Sequence, residues 1–172
     1  DRAAMNQLVA LPGGERCAAN QVYYSLGERG IDFDLKPWQQ QRAMPLMAYS
    51  PIDQNALAGD RRVAALATPL GLTAAQLALA WTLRDGNVIA IPKAVREPHL
   101  RENLAAGDIE LDAATLAALD ALFPPPRRAQ PSCGGGPTRP PQPSRRPAER
   151  RGRRPGRPRA VARPPRARDR AG

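Results

Sequence analysis

The chain has 172 residues and a net charge of +10 at neutral pH, but these averages mislead because the composition changes sharply at Phe123. Residues 1–123 carry 11 Lys and Arg against 14 Asp and Glu, a net −3, with apolar residues throughout, whereas residues 124–172 carry 15 Arg, no Lys, one Glu and one Asp, a net +13. The front is an ordinary globular composition, and no apolar run approaches the roughly 20 residues a membrane-spanning helix needs.

The chain enters, without an initiating Met, on what reads as the end of a helix, so the true start is expected to lie upstream. Pro12-Gly13-Gly14 marks a turn, and residues 16–23 (RCAANQVY) form a short β-prone run after it. Residues 34–42 (DLKPWQQQR) then read as a helix. The second apolar run is 45–49 (PLMAY), followed by a polar loop and by helical segments at 60–70 and 74–84. The later of these helices has the clearest signal. Thr73 and Gln76 make a capping-box pair, and Leu77, Ala80, Trp81 and Arg84 recur at three- and four-residue spacing, which makes Trp81 a packing residue. Residues 87–91 (NVIAI) are the third run, followed by helices at 97–106 and 113–122, the last capped by Asp112.

Strands alternating with helices imply parallel strands joined by crossovers, either in an open doubly wound sheet or in part of a (β/α)-barrel. Three strands complete neither. Their nearly continuous apolar character fits strands covered on both faces, yet three alone leave exposed edges and an unfilled interior. Neither G-x-G-x-x-G nor a Walker A pattern follows any strand, which argues against the open dinucleotide-binding sheet. In a barrel, phosphate is instead commonly held by the loops after the last strands and by the N-terminus of a short helix. Lys93 lies just past the third run, and Pro98 can open a helix whose N–H groups attract anions; a plain solvated loop lysine is the alternative.

The tail has Val161 as its only large aliphatic residue and no aromatic, so residues 124–172 are expected to be disordered. Of its 49 residues, 40 are Arg, Pro, Gly or Ala, whose codons can be built from G and C alone. A reading-frame slip in GC-rich DNA would look like this. A genuine basic arm would bind nucleic acid non-specifically, but such arms usually mix Lys with Arg and carry aromatics for base stacking. Cys17 and Cys133 lack the spacing of a metal site or disulfide framework, and no signal peptide is legible, so a reducing, cytoplasmic setting without a membrane partner is expected.

The strings "NQVYYSLGERGIDFDLKPW", "MAYSPI", "LTAAQLALAWTL", "VIAIPKAV" and "HLRENLAAGDIELDAATLAALD" occur in this order across residues 1–123. Together they closely resemble the C-terminal part of the aldo/keto reductase family. The resemblance implies an α/β fold, a partial (β/α)8 TIM barrel comprising the sixth to eighth strands. It also implies NADP(H), with NAD(H) as an alternative, used to reduce a small aldehyde or ketone.

By the same resemblance Gln21 hydrogen-bonds the nicotinamide carboxamide, and Tyr49 stacks on the nicotinamide ring. Ser50 and Ile52 line the pyrophosphate, Lys93 pairs with the adenosine 2′-phosphate, and Glu102 and Asn103 contact the adenine. Two positions depart from the pattern. Ala94 stands where many members have Ser or Thr, and His99 where many have Arg, so a permanent forked cation is replaced by a side chain mostly neutral at pH 7. The family's proton-transfer tetrad of Asp, Tyr, Lys and His comes from the first half of the barrel and finds no counterpart here; Tyr23, Tyr24 and Lys36 match other positions. Alone, the polypeptide is expected to bind the adenine end weakly and to leave carbonyls unreduced. Two other readings are a basic-tailed binder of nucleic acid or acidic partners and a reductase-like subunit that senses NADP without catalysis.

Overall fold

In the computed structural model, which describes residues 1–130, three parallel strands pair in the order β1 (Asn20–Tyr23), β2 (Leu46–Tyr49), β3 (Val88–Ile91). The register runs Gln21 to Met47 to Ile89, and Tyr23 to Tyr49 to Ile91. Helix α1 (Arg2–Val9) precedes the sheet, and α2 (Leu35–Gln40) crosses from β1 to β2. Helices α3 (Arg61–Ala67) and α4 (Ala74–Leu83) cross from β2 to β3, and α5 (Glu97–Ala105) and α6 (Ala113–Leu122) follow. Residues 124–130 contain no helix or strand; what the sequence suggests for 131–172 lies outside the described residues.

The helix ends follow the capping chemistry. The Thr73 hydroxyl accepts from the Gln76 amide at 3.2 Å while the Gln76 side chain accepts from the Thr73 amide at 3.0 Å, so both halves of the capping box form. Asp112 accepts from the Thr115 amide at 2.7 Å, and Asp60 from the Arg62 amide at 2.8 Å.

β1 starts at Asn20 rather than at residue 16. Gly13 is left-handed at φ +80°, and a Cβ on Gly14 would sit 1.9 Å from the Leu8 carbonyl oxygen, so the chain makes a tight 3-10 turn over Gly14–Arg16. Residues 17–19 then find no partner, because the ladder on β2 begins at Leu46, opposite Asn20.

Alternation along the strands separates two faces. Val22, Leu46 and Ala48 point into a core with Leu35 and Trp38 of α2, Val63 and Ala67 of α3, Leu77, Ala78 and Trp81 of α4, and Leu119 of α6. Each large apolar side chain fully buried here contributes about 1.5–3 kcal/mol. Gln21, Met47 and Ile89 share the opposite face with Tyr23, Tyr49 and Ile91. No helix among the described residues covers that face: Ile89 is 45% and Ile91 41% exposed. The open face accords with the expectation that three strands alone leave their interior unfilled. Among the described residues no single helix is long and apolar enough to cross a membrane; α4, the most apolar, has most of its residues buried in the core.

Candidate functional site

Because the strands are parallel, Tyr23, Tyr49 and Ile91 end at one edge of the sheet, and the loops that leave them carry most of the candidate residues. Gln21 lies on the open face, one residue pair back from that edge, with its amide exposed to solvent. Tyr49 shares the face, half-buried, its ring tilted 37° against Tyr23 with centroids 5.2 Å apart. One face of the sheet thus offers an aromatic ring beside an amide that can both donate and accept.

The loop after β2 is held in an uncommon conformation. Ser50, Asp53, Gln54 and Asn55 all lie in the left-handed region, with φ between +49° and +76°. For a non-glycine residue this costs about 1–2 kcal/mol, so the surroundings must impose it. Ile52 anchors the loop by packing against the core. The Tyr23 hydroxyl donates to Asp53 Oδ1, and burial together with that carboxylate pushes the phenol well above the ordinary tyrosine range. Burial also raises the nearby Glu28 carboxyl, opposed by a backbone hydrogen bond from Gly30 and reinforced by the charge on Asp53.

The second group follows β3. Lys93 is exposed and has no ion-pair partner among the described residues, and Ala94 beside it is half-buried without a polar side-chain atom to offer. In α5, Pro98 occupies the first turn and the N-cap, Arg96, makes no side-chain capping bond, so the first-turn amides point to the open end of the helix. Glu97, which would repel an anion there, is engaged by Arg101 Nε at 3.0 Å. His99 Nδ1 lies 3.4 Å from Glu102 Oε2 on the exposed side of α5, and Asn103 is half-buried next to it. The structure therefore brings Gln21, Tyr49, Ser50 and Ile52 together around β1 and β2, and gathers Lys93, Ala94, His99, Glu102 and Asn103 after β3, the adjacent strand. A nicotinamide nucleotide presents a flat ring with a carboxamide, a pyrophosphate, a ribose phosphate and a purine. This donor set fits it: ring face and amide on the sheet, unpartnered cation and open helix end beyond it.

Behind the sheet lies a charged network for which the sequence holds no clear signal. Arg29, only 9% exposed, donates to Asp32 at 3.0 Å, to Asp120 at 2.6 Å and to the Phe123 carbonyl at 2.6 Å. Lys36 donates to the Tyr24 hydroxyl at 2.9 Å and to Asp85. Trp81 is stacked by the guanidinium of Arg29 at 4.7 Å and that of Arg84 at 3.7 Å. Burial, and then the neighbouring Arg84, lower the Lys36 ammonium; burial works against the Asp85 carboxylate too, but Lys36 and Arg84 outweigh it and hold it below its usual value. Tyr24 and Lys36 form a bonded Tyr–Lys pair, yet Tyr24 is fully buried in the core away from the open face, and burial followed by Asp32 raises its phenol far above the usual range. It is a poor acid. The partners are up to 94 residues apart in the chain, which is why periodicity does not reveal them.

Comparison with known proteins identifies the same region. The sequence profile described as "Aldo/keto reductase family" matches residues 5–123. "Methylglyoxal reductase YeaE" of Escherichia coli (strain K12) is 46% identical over an alignment covering 74% of this chain and 46% of that protein. A second relative, "Methylglyoxal reductase DkgB" of Escherichia coli O157:H7, is 29% identical over 69% of this chain and 43% of its own. The crystal structure of an aldo-keto reductase from Klebsiella pneumoniae in complex with NADPH superposes with a TM-score of 0.72 at 44% identity, over 76% of this chain and 48% of that one. The chain thus spans about half the length of these relatives.

Proposed function

We propose that this chain, which belongs to the aldo/keto reductase family, supplies the nucleotide-binding part of an NADP(H)-dependent reductase of small aldehydes or ketones. The observation that carries the reading is the placement of Gln21 and Tyr49 on one open sheet face at the strand ends, beside a strand whose following loop presents Lys93, exposed and without an ion-pair partner among the described residues. In this reading β1, β2 and β3 are the sixth, seventh and eighth strands of a (β/α)8 barrel, and the open face is part of its interior. The exposed Ile89 and Ile91, and the half-length match to relatives, support that placement.

The bound cofactor supplies hydride. The Gln21 amide would hold the nicotinamide carboxamide, and the Tyr49 ring would pack against the base. Ser50 and Ile52 line the pyrophosphate. Lys93 and the N-terminus of α5 neutralise the 2′-phosphate, and Glu102 and Asn103 contact the adenine. Ala94 withholds a hydroxyl from the 2′-phosphate, and His99 offers its ring to Glu102 rather than a permanent cation, so Lys93 carries most of the discrimination for NADP(H) over NAD(H). Two relatives named as methylglyoxal reductases favour a small carbonyl substrate.

The test is Lys93→Met, read by fluorescence or calorimetric titration. The dissociation constant for NADPH is expected to rise about tenfold or more, the loss of a charge-assisted hydrogen bond, while that for NADH, which lacks the 2′-phosphate, stays put. Equal shifts for both nucleotides sink the assigned role of Lys93.

A further inference from the structure

Asp53 is a carboxylate in a loop that holds four non-glycine residues in the left-handed region. Its own φ is +51°, and Ser50, Gln54 and Asn55 around it are left-handed as well. The residues Ser50 and Asp53, Asp53 and Ala56, and Ile52 and Leu57 are joined by backbone hydrogen bonds of 2.8, 2.8 and 3.4 Å. These turns close the loop on itself without tying it to the sheet. Two contacts of Asp53 do tie it. Oδ1 accepts from the hydroxyl of Tyr23, on the neighbouring strand, and Oδ2 lies where a Cβ on Gly27 would come within 3.1 Å. The carboxylate thus sits between the end of β1 and the loop that follows it, where a Cβ at position 27 would press on it closely.

Tyr23 serves the same edge in another way. Its ring packs at 5.2 Å against Tyr49, the last residue of β2. One side chain therefore touches both the ring proposed to face the nicotinamide and, through Asp53, the loop that carries Ser50 and Ile52. Burial and the adjacent carboxylate keep the phenol protonated through the neutral range, so it remains a donor to Asp53.

We infer that Tyr23 and Asp53 form a latch that holds the loop after β2 in its left-handed conformation and so presets Ser50 and Ile52 for the pyrophosphate of the nucleotide. The inference rests on the cofactor site proposed above. Tyr23 and Asp53 are positioning residues: they act on the nucleotide through the loop, and a preformed loop spares binding the cost of ordering it.

The test uses the full chain and the variants Tyr23→Phe and Asp53→Asn. Tyr23→Phe keeps the ring on Tyr49 and removes only the hydroxyl, so folding is retained; Asp53→Asn removes the charge and keeps the shape. The probes are NADPH, NADH and adenosine 2′,5′-bisphosphate, which carries adenine and the 2′-phosphate but no pyrophosphate. Each variant is expected to raise the dissociation constants for NADPH and NADH alike, by about tenfold, as for one charge-assisted hydrogen bond, with the double variant little worse than either single one. The bisphosphate is expected to bind unchanged, and hydrogen exchange at the amides of Asp53, Ala56 and Leu57 to quicken in both variants. Unchanged exchange at those amides overturns the latch. Equal weakening of the bisphosphate overturns the positioning of the pyrophosphate loop, because it shows a general loss of structure. If the unsubstituted chain binds neither NADPH nor the bisphosphate while exchange quickens in the variants, the latch stands and the cofactor reading beneath it fails.

Discussion

Behind the sheet, Val22, Leu46 and Ala48 are at most 8% exposed, while in front Ile89 and Ile91 are 45% and 41% exposed on strands of the same length and pairing. The inversion goes further, because the charged Arg29 and Lys36 behind the sheet, at 9% and 5%, are better buried than the isoleucines in front. Hydropathy alone does not sort these residues; partners do. Arg29 has two carboxylates, a carbonyl and an indole face, and Lys36 has a phenol and a carboxylate, so their burial is matched by hydrogen bonds and charge. On the front face Tyr23 bonds Asp53, while Ile89 and Ile91 are left open to solvent. That face carries the amide and the rings of the candidate site, which need access rather than cover.

The largest effect expected on breaking the rear side is that of Trp81→Ala. The indole is fully buried, and its removal leaves a cavity and takes away the surface on which Arg29 and Arg84 stack. Urea unfolding should show a loss of about 3–5 kcal/mol. Trp81→Phe should cost clearly less, because the indole Nε1 has no hydrogen-bond partner among the described residues and its loss leaves none of them newly unsatisfied. Equal costs would mean that stacking of the two guanidinium groups on the indole outweighs packing.

The next effect is one of pH. The Asp85 carboxyl lies below its usual value in the folded state, so folded Asp85 binds a proton less readily than unfolded Asp85 does. Its stabilisation is then fully present above the ordinary aspartate value near 3.9 and is lost as the pH falls through the lower folded value. Stability measured from pH 6 to pH 2.5 should fall at the acid end, and Asp85→Asn should flatten that limb while lowering stability at pH 6. A limb of unchanged slope in Asp85→Asn would place the acid sensitivity at Asp60 or Asp112, which are also held low, by Arg62 and Thr115 respectively.

Local rules reached some of this and not the rest. The alternation of three strands with helices, the Thr73–Gln76 capping box and the Asp112 cap are carried by residues within four positions of one another, where spacing is informative. The β1 boundary was hidden because Cys17, Ala18 and Ala19 carry no turn or breaker signal; only the register with β2 ends the ladder. Gln21, Tyr49, Lys93 and their neighbours are legible through their resemblance to a family rather than from spacing, and the structure places them at one end of the sheet. The rear network and the Tyr23–Asp53 contact were not legible, since Arg29 meets Asp120 and Phe123 across more than 90 residues and Tyr23 meets Asp53 across 30. A modest check on the legible part is Thr73→Ala, which removes the side-chain acceptor at the start of α4 and should cost about 1 kcal/mol in urea unfolding, as N-cap losses do.

The smallest effect gives the sharpest comparison of the two faces. Val22→Thr and Ile89→Thr place the same β-branched alcohol on opposite faces of one sheet, with little change in strand propensity. At position 22 the hydroxyl enters a core of Leu35, Leu46 and Trp81 with no acceptor supplied for it, and the cost should be about 1–3 kcal/mol. At position 89 it meets solvent, and the change should stay within about 0.5 kcal/mol. If Ile89→Thr costs as much as Val22→Thr, the front face is covered in solution. Sedimentation at several concentrations would then show self-association that weakens with the substitution where a second copy of the same apolar face supplies the cover. If the chain sediments as a monomer and Ile89→Thr is near neutral, the face is open, and the ring and amide beside it are accessible to a nucleotide.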